Sequence, residues 1–189
     1  SLVGSKYNMR QDECKAAAYA LQAFSGQEYG KFADTRLRDV PVEIFREYEE
    51  QLPENWRKRA EHYYEETARA EAGAEAWRRG NLEKYGQLVF ESGYSSIYNY
   101  ESGSPELKTL YDIMRKTQGI YGGRFSGAGF KGCCMALIDP EYADQIEKQV
   151  IAYENLKAPI QEGDAVGVVQ YSCNGTCISE VILYAERSV

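Results

Sequence analysis

At Gly119 the hydrophobic pattern of this chain changes period. Before that residue apolar side chains recur every three or four positions; after it they alternate. Helices therefore come first and a small, largely antiparallel sheet comes last, an α+β arrangement with a helix-rich N-terminal part. Neither half shows an internal repeat or a low-complexity linker, and 189 residues suffice for one large domain or two small ones.

The helical part carries its own punctuation. Asn8, with Gln11 three residues on, reads as the N-cap of a helix that buries Cys14, Ala17, Ala18, Leu21 and Phe24 and ends at Ser25-Gly26. Asp39 and Pro41 open a second helix with Ile44, Phe45, Tyr48 and Leu52 inward, interrupted by Pro53. From Glu54 to Arg79 an inward stripe of Trp56, Ala60, Tyr63, Thr67, Ala70, Ala74 and Trp77 is spaced alternately by four and three, and the intervening Glu and Arg residues form a solvated face. Asn81 caps the next helix, and Ser104-Pro105 opens one that buries Leu107, Leu110, Tyr111 and Met114. The stretches 25–39 and 93–103 read as long loops.

Beyond Gly119, residues 120–125 and 133–138 read as strands. Asp139-Pro140 then signals a helix to about Leu156, and residues 165–172 and 176–184 form a hairpin about Asn174-Gly175.

The formal charge of -7 and a pI near 5.0 argue against a nucleic-acid partner or an anionic membrane surface. The chain has no run of eighteen apolar residues and no basic-then-apolar start, so a cytoplasmic protein is expected. Five cysteines, an odd number, fit reduced thiols. Cys173 and Cys177 fall on opposite faces of the expected hairpin, and Cys133 and Cys134 diverge along a strand, so neither pair makes a metal site. His62, beside the inward positions, is expected to face water and to be inert.

The stretch GGRFSGAGFKGCC, residues 122–134, concentrates five of the 17 glycines between two strands. A tight turn needs one or two glycines. Five, around Ser126-Gly127-Ala128-Gly129, suggest main chain approached closely by a ligand or by other main chain. Bare N–H groups in such a loop bind anionic oxygens.

YGGRFSGAGFKGCCMALID resembles the third conserved motif of the GHMP small-molecule kinases, and of their galactokinase branch in particular. SLVGSKYNMRQDECKAAAYAL, RLRDV, RRGNLEKYGQLVFES and SPELKTLYDIM resemble the same family in order and spacing, up to about Asp139. The resemblance implies the ferredoxin-like C-terminal domain of that superfamily. It also implies a kinase that uses ATP and Mg2+ to phosphorylate a sugar, at the anomeric hydroxyl in galactokinases. Tyr7 is then the residue that contacts the sugar. Ser126, Gly127, Ala128 and Gly129 form the loop bordering the nucleotide phosphates and the substrate.

The family's substrate motif, phosphate loop and catalytic Asp with its Arg partner are expected upstream of Ser1, in an N-terminal domain. On its own the chain is therefore expected to be inactive and to bind neither ATP nor Mg2+ tightly. Apolar positions left uncovered, Leu2, Val3 and the Tyr94–Tyr100 run, are expected to favour self-association. Lys131, Phe125 and Ser126 depart from the usual family residues, which leaves a galacturonate kinase as the alternative to a galactose kinase. A sugar-sensing regulator of the same fold and an unrelated α+β binding module are the remaining readings.

Overall fold

A computed structural model describes residues 7–28, 30–129, 133–153, 156–173 and 175–188. Five helices come first: α1 Tyr7–Phe24, α2 Val42–Tyr48, α3 Glu54–Arg78, α4 Leu82–Tyr98 and α5 Pro105–Lys116. They are followed by the strands β1 Ile120–Phe125, β2 Cys134–Ile138, β3 Ile146–Ala152, β4 Ala165–Cys173 and β5 Thr176–Tyr184. The strands lie in two antiparallel sheets, β1-β2 and β3-β4-β5. No described helix is long and apolar enough to cross a membrane.

The helix-rich start folds around small residues. Ala17, Ala18 and Leu21 of α1 meet Phe45 of α2, Ala60 of α3 and the buried Leu37, Val40 and Leu52 of the connections. Within this core the Tyr64 ring stacks on Phe45 at 5.0 Å, and its hydroxyl donates to Val40 O at 2.9 Å. The second core joins Ile97 of α4, Leu107, Tyr111 and Met114 of α5, and Phe125 of β1. Tyr111 is buried to 2% and donates its hydroxyl to Phe90 O at 2.7 Å, which satisfies the one polar atom it brings inside.

The helix starts at Asn81 and Ser104 are as the sequence implies: each side chain accepts a backbone N–H, from Lys84 and Leu107 respectively. At the first helix the start differs. Asn8 lies inside α1 rather than capping it. Along α3 the expected stripe holds for its first turns and then drifts. Gly73 and Ala76 are buried, whereas Thr67, Ala70 and Ala74 are exposed and Trp77 is 56% exposed. The partner changes along the helix: Ala60 packs in the first core with α1, whereas Gly73 faces the Tyr85 ring of α4, 3.6 Å from where its Cβ would stand.

Two expected loops and one expected helix are corrected. Residues 25–39 contain two short 3-10 turns, Phe32–Asp34 and Leu37–Asp39. Residues 93–98 continue α4, because small residues there let the helix lie close against its neighbours; a Cβ on Gly93 would stand 2.6 Å from the Tyr111 ring of α5 and 3.1 Å from Arg124 Cβ of β1. The Asp139-Pro140 signal is consumed by a 3-10 helix, Pro140–Gln145, with Asp139 Oδ1 accepting the Glu141 N–H. Residues 146–152 then form β3, not helix, since Val150, Ile151 and their neighbours pair along the whole of β3 with residues 167–173 of β4. The hairpin registers as expected, with Ser172 opposite Cys177 and Cys173 opposite Thr176; Asn174 lies outside the described residues. Tyr94 and Tyr98 are exposed at 50% and 53%, while Leu2 and Val3 lie outside the described residues.

Candidate functional site

The glycine-rich stretch begins in β1 and turns back into β2. Gly122 and Gly123 are strand residues, and α4 crosses Gly122 at Gly86 so closely that a Cβ on either glycine would overlap the other segment's backbone. Two of the five glycines therefore serve helix-on-strand packing.

The turn proper is different in kind. Ser126 N–H donates to Cys133 O at 2.8 Å and closes its base. Gly127 and Gly129 both take φ +77°, where side chains are strained. Gly127 is exposed with open space around its Cβ position, whereas Gly129 is buried and a Cβ there would stand 2.6 Å from the Phe125 ring and 2.8 Å from Gly103 N. The turn presents its first glycine outward and locks its second against the segment 99–104. Phe130, Lys131 and Gly132 lie outside the described residues, as does any role of the Lys131 ammonium.

Arg124, in the middle of the motif, points away from the turn. Its guanidinium donates to Glu66 of α3 at 3.0 Å, to Ser96 of α4 at 3.1 Å and to the Ser92 hydroxyl, which in turn bonds Glu66. Burial pushes the Glu66 carboxyl up, but hydrogen bonds from Ser92 and Arg69 and the charge of Arg124 outweigh it, so the group titrates below its ordinary value. Arg124 thus ties β1 to two helices and is already neutralised.

Tyr7 is the first residue of α1 and half-buried, its hydroxyl accepting from Gln11 at 3.2 Å. Tyr100 lies near it: burial, then the neighbouring Cys14 and Tyr7, push the Tyr100 phenol up to about 12. Glu101 follows with φ +53°, the one non-glycine residue in that region among those described, and its carboxylate accepts from Arg10 at 3.0 Å and from Arg59 at 2.9 Å. Three residues later Ser104 N–H donates to Gly129 O at 2.8 Å. Arg10 of α1 and Gly129 of the glycine turn are therefore both bonded to one short segment, 101–104.

Several of these residues escape a reading of the sequence. Arg59 is fully buried, not part of a solvated face; its position three after Trp56 and four before Tyr63 was the available signal. His62 does not face water either. Its ring stacks on Tyr100 at 4.9 Å, Nδ1 lies 3.0 Å from Ser95 Oγ, and burial, partly countered by the Glu66 charge, pushes its pKa down to about 4.

A histidine held neutral in the fold but free to protonate when unfolded costs stability as pH falls from its unfolded value, ~6.5, towards 4. Across that window the unfolded chain binds the extra proton, so stability rises with pH. His62→Gln is expected to flatten denaturant-derived stability there by up to one proton, ~1.4 kcal/mol per pH unit. Parallel curves for the two proteins would exclude this.

Two clefts of about 710 and 660 Å3 flank the contact of α3 with α4, one lined by Glu61, Phe90 and Tyr94, the other by Gly73, Tyr85 and Arg124. Neither includes Tyr7 or residues 126–129. Among the described residues no group of three or more His, Cys, Asp or Glu side chains is gathered to hold a metal ion.

Residues 73–155 match the family described as GHMP kinases C terminal. Residues 134–189 match a second family, the C-terminal domain of penicillin-binding protein 5; that match begins with β2, overlaps the first over residues 134–155 and extends through the second sheet. Over 138 residues the chain is 45% identical to a galacturonokinase of Arabidopsis thaliana, covering 73% of this chain and 32% of that protein. The crystal structure of Lactococcus lactis galactokinase complexed with galactose superposes with a TM-score of 0.64 at 31% identity, over 76% of this chain and 36% of that one. The chain thus spans about a third of the length of these relatives. Residues 73–155 are thus similar to the C-terminal domain of the GHMP kinases, in a chain that resembles galactokinase-type sugar kinases over most of its length.

Proposed function

We propose that this chain is the C-terminal domain of a cytoplasmic, ATP-dependent sugar kinase that phosphorylates the anomeric hydroxyl of galactose or of its uronic acid. The observation that carries the reading is the 45% identity to a galacturonokinase in a region that includes the braced, outward-facing turn at Gly127. The same identity, higher than that to the galactokinase, favours galacturonate.

In this reading ATP supplies the γ-phosphoryl group. The sugar's anomeric oxygen bonds to phosphorus as the bond to the β-phosphate oxygen breaks, and ADP leaves. Such transfers depend chiefly on positioning and charge neutralisation. This chain would contribute the bare backbone of Ser126–Gly129 beside the phosphates and the Tyr7 hydroxyl as a hydrogen-bond partner for the sugar. The base that accepts the hydroxyl proton and the ligands of Mg2+ would come from the N-terminal domain that the resemblance to galactokinases implies.

The test is ATP turnover by the parent enzyme on galacturonate and galactose, beside the isolated 189 residues. Sugar-dependent turnover is expected from the former, faster on galacturonate, and none from the latter. Turnover on neither sugar by the parent would overturn the reading. Tyr7→Phe in the parent is expected to raise the sugar KM about tenfold, the value of one lost hydrogen bond; an unchanged KM removes Tyr7 from the site.

A further inference from the structure

We propose that Arg59 is a positioning residue for the glycine turn, acting through the segment 99–104; the kinetic part of this proposal rests on the sugar-kinase reading above. Arg59 is fully buried on α3, and its three donor nitrogens each have a separate acceptor. Nε donates to Glu13 on α1 at 2.6 Å, Nη1 to the Asn99 carbonyl at 2.5 Å and Nη2 to Glu101 at 2.9 Å. Arg10 of α1 donates to the same two carboxylates, at 3.1 Å to Glu13 and 3.0 Å to Glu101.

The object of this clamp is a backbone bend. Glu101 sits at φ +53°, a conformation that side-chain-bearing residues rarely adopt and that persists where the surroundings over-determine it. Two guanidinium groups on its carboxylate, and a third contact to the carbonyl two residues earlier, supply that determination. The bend directs the chain so that Ser102 N–H returns to Ser96 O at 3.0 Å, Gly103 passes beside the Phe125 ring and Ser104 N–H reaches Gly129 O at 2.8 Å. A route of direct contacts therefore runs from the buried guanidinium to the turn, while the same guanidinium holds the helix that begins with Tyr7. Lysine keeps the charge, but its three donors radiate from one nitrogen and cannot span the acceptors that the three nitrogens of the guanidinium reach.

Arg59→Lys in this chain tests the clamp without reference to catalysis. Amide exchange at Ser104 is expected to accelerate at least tenfold, while the first-core amides of Leu21 and Ala60 stay within about twofold. In the parent enzyme the same change is expected to lower kcat at least tenfold with the sugar KM within about threefold, because the turn is displaced while Tyr7 remains. Glu101→Gln, at a half-exposed position, removes the paired charge with little change of shape and is expected to move Ser104 exchange the same way if Arg59→Lys does not fold. Ser104 protection that falls no further than that of the first core would make Arg59 merely structural and overturn the proposal, as would an unchanged kcat in a variant whose Ser104 has been released. Faster Ser104 exchange in a parent protein that phosphorylates no sugar would leave the clamp standing and remove only its kinetic part.

Discussion

Gly122→Val unfolds the half of the molecule built on α4, α5 and β1: the expected loss is about 3 kcal/mol or more, read as a fall in the midpoint of thermal or denaturant unfolding. Gly122 and Gly86 meet backbone to backbone, and a Cβ on Gly122 would overlap the Cα, C and O atoms of Gly86. Relief cannot come from a rotamer, because the clashing atoms belong to a helix whose other contacts, Gly93 on the Tyr111 ring and Arg124 on Ser92 and Ser96, fix its place. Gly127→Val is the control. It has no neighbour to strike and suffers only from φ +77°, a cost of ~1–2 kcal/mol. Equal losses at the two positions would mean that the close approach of α4 to β1 has been misjudged.

The second large effect is expected from Arg59→Met, at about 3–5 kcal/mol. The side chain itself fits an apolar site; the damage arises from the Glu13 carboxylate, only 11% exposed, which keeps a single cation, Arg10. Adding Glu13→Gln to Arg59→Met is therefore expected to recover part of the loss rather than add to it, a coupling that unfolding of all four proteins would measure. Additive losses would show that Glu13 and Arg59 are not energetically coupled and would sink this account of the loss. The acid limb moves as well. Burial raises the Glu101 carboxyl, but the hydrogen bond and charge of Arg59, then Arg10 and Lys58, outweigh it and hold it below its ordinary value. That contribution is present above the unfolded carboxyl value and is lost as pH falls through the lower folded one. Without Arg59 the carboxyl returns towards its ordinary value, so the variant unfolds at a higher pH on acidification.

Helix identity was legible where local chemistry decides it. The caps Asn81 and Ser104, Pro105 in the first turn and the apolar spacing of α5 act over four or five residues, and no distant contact overrides them. The hairpin of β4 and β5 was equally plain, because the Asn-Gly pair in the sequence implies Cys173 opposite Thr176 and Ser172 opposite Cys177, as observed; the register shift between Tyr171 and Ser172 was not legible. Failures came where a partner decides. Residues 146–152 carry a helix start before them and become a strand because β4 lies alongside. Residues 93–98 look like a loop by composition and are helix because their small residues receive distant partners: Gly93 admits the Tyr111 ring, and the Ser96 hydroxyl accepts from Arg124 of β1.

The candidate site divides in the same way. The motif GGRFSGAG was conspicuous in the sequence, as was Tyr7 through its resemblance to the galactokinase branch. Arg59, Glu101 and His62 were not, since a single Arg, Glu or His on a helix or in a connection has the same composition whether it meets water or a buried partner.

By itself the sequence determined an α+β chain, its principal caps, the β1–turn–β2 unit and its similarity to sugar kinases. Only the tertiary structure decided which charges lie inside, which glycines serve packing rather than the turn, and that one bent segment joins α1 to Gly129. Local signals depend on neighbours along the chain, whereas burial, ion pairing and strand pairing depend on residues tens of positions away.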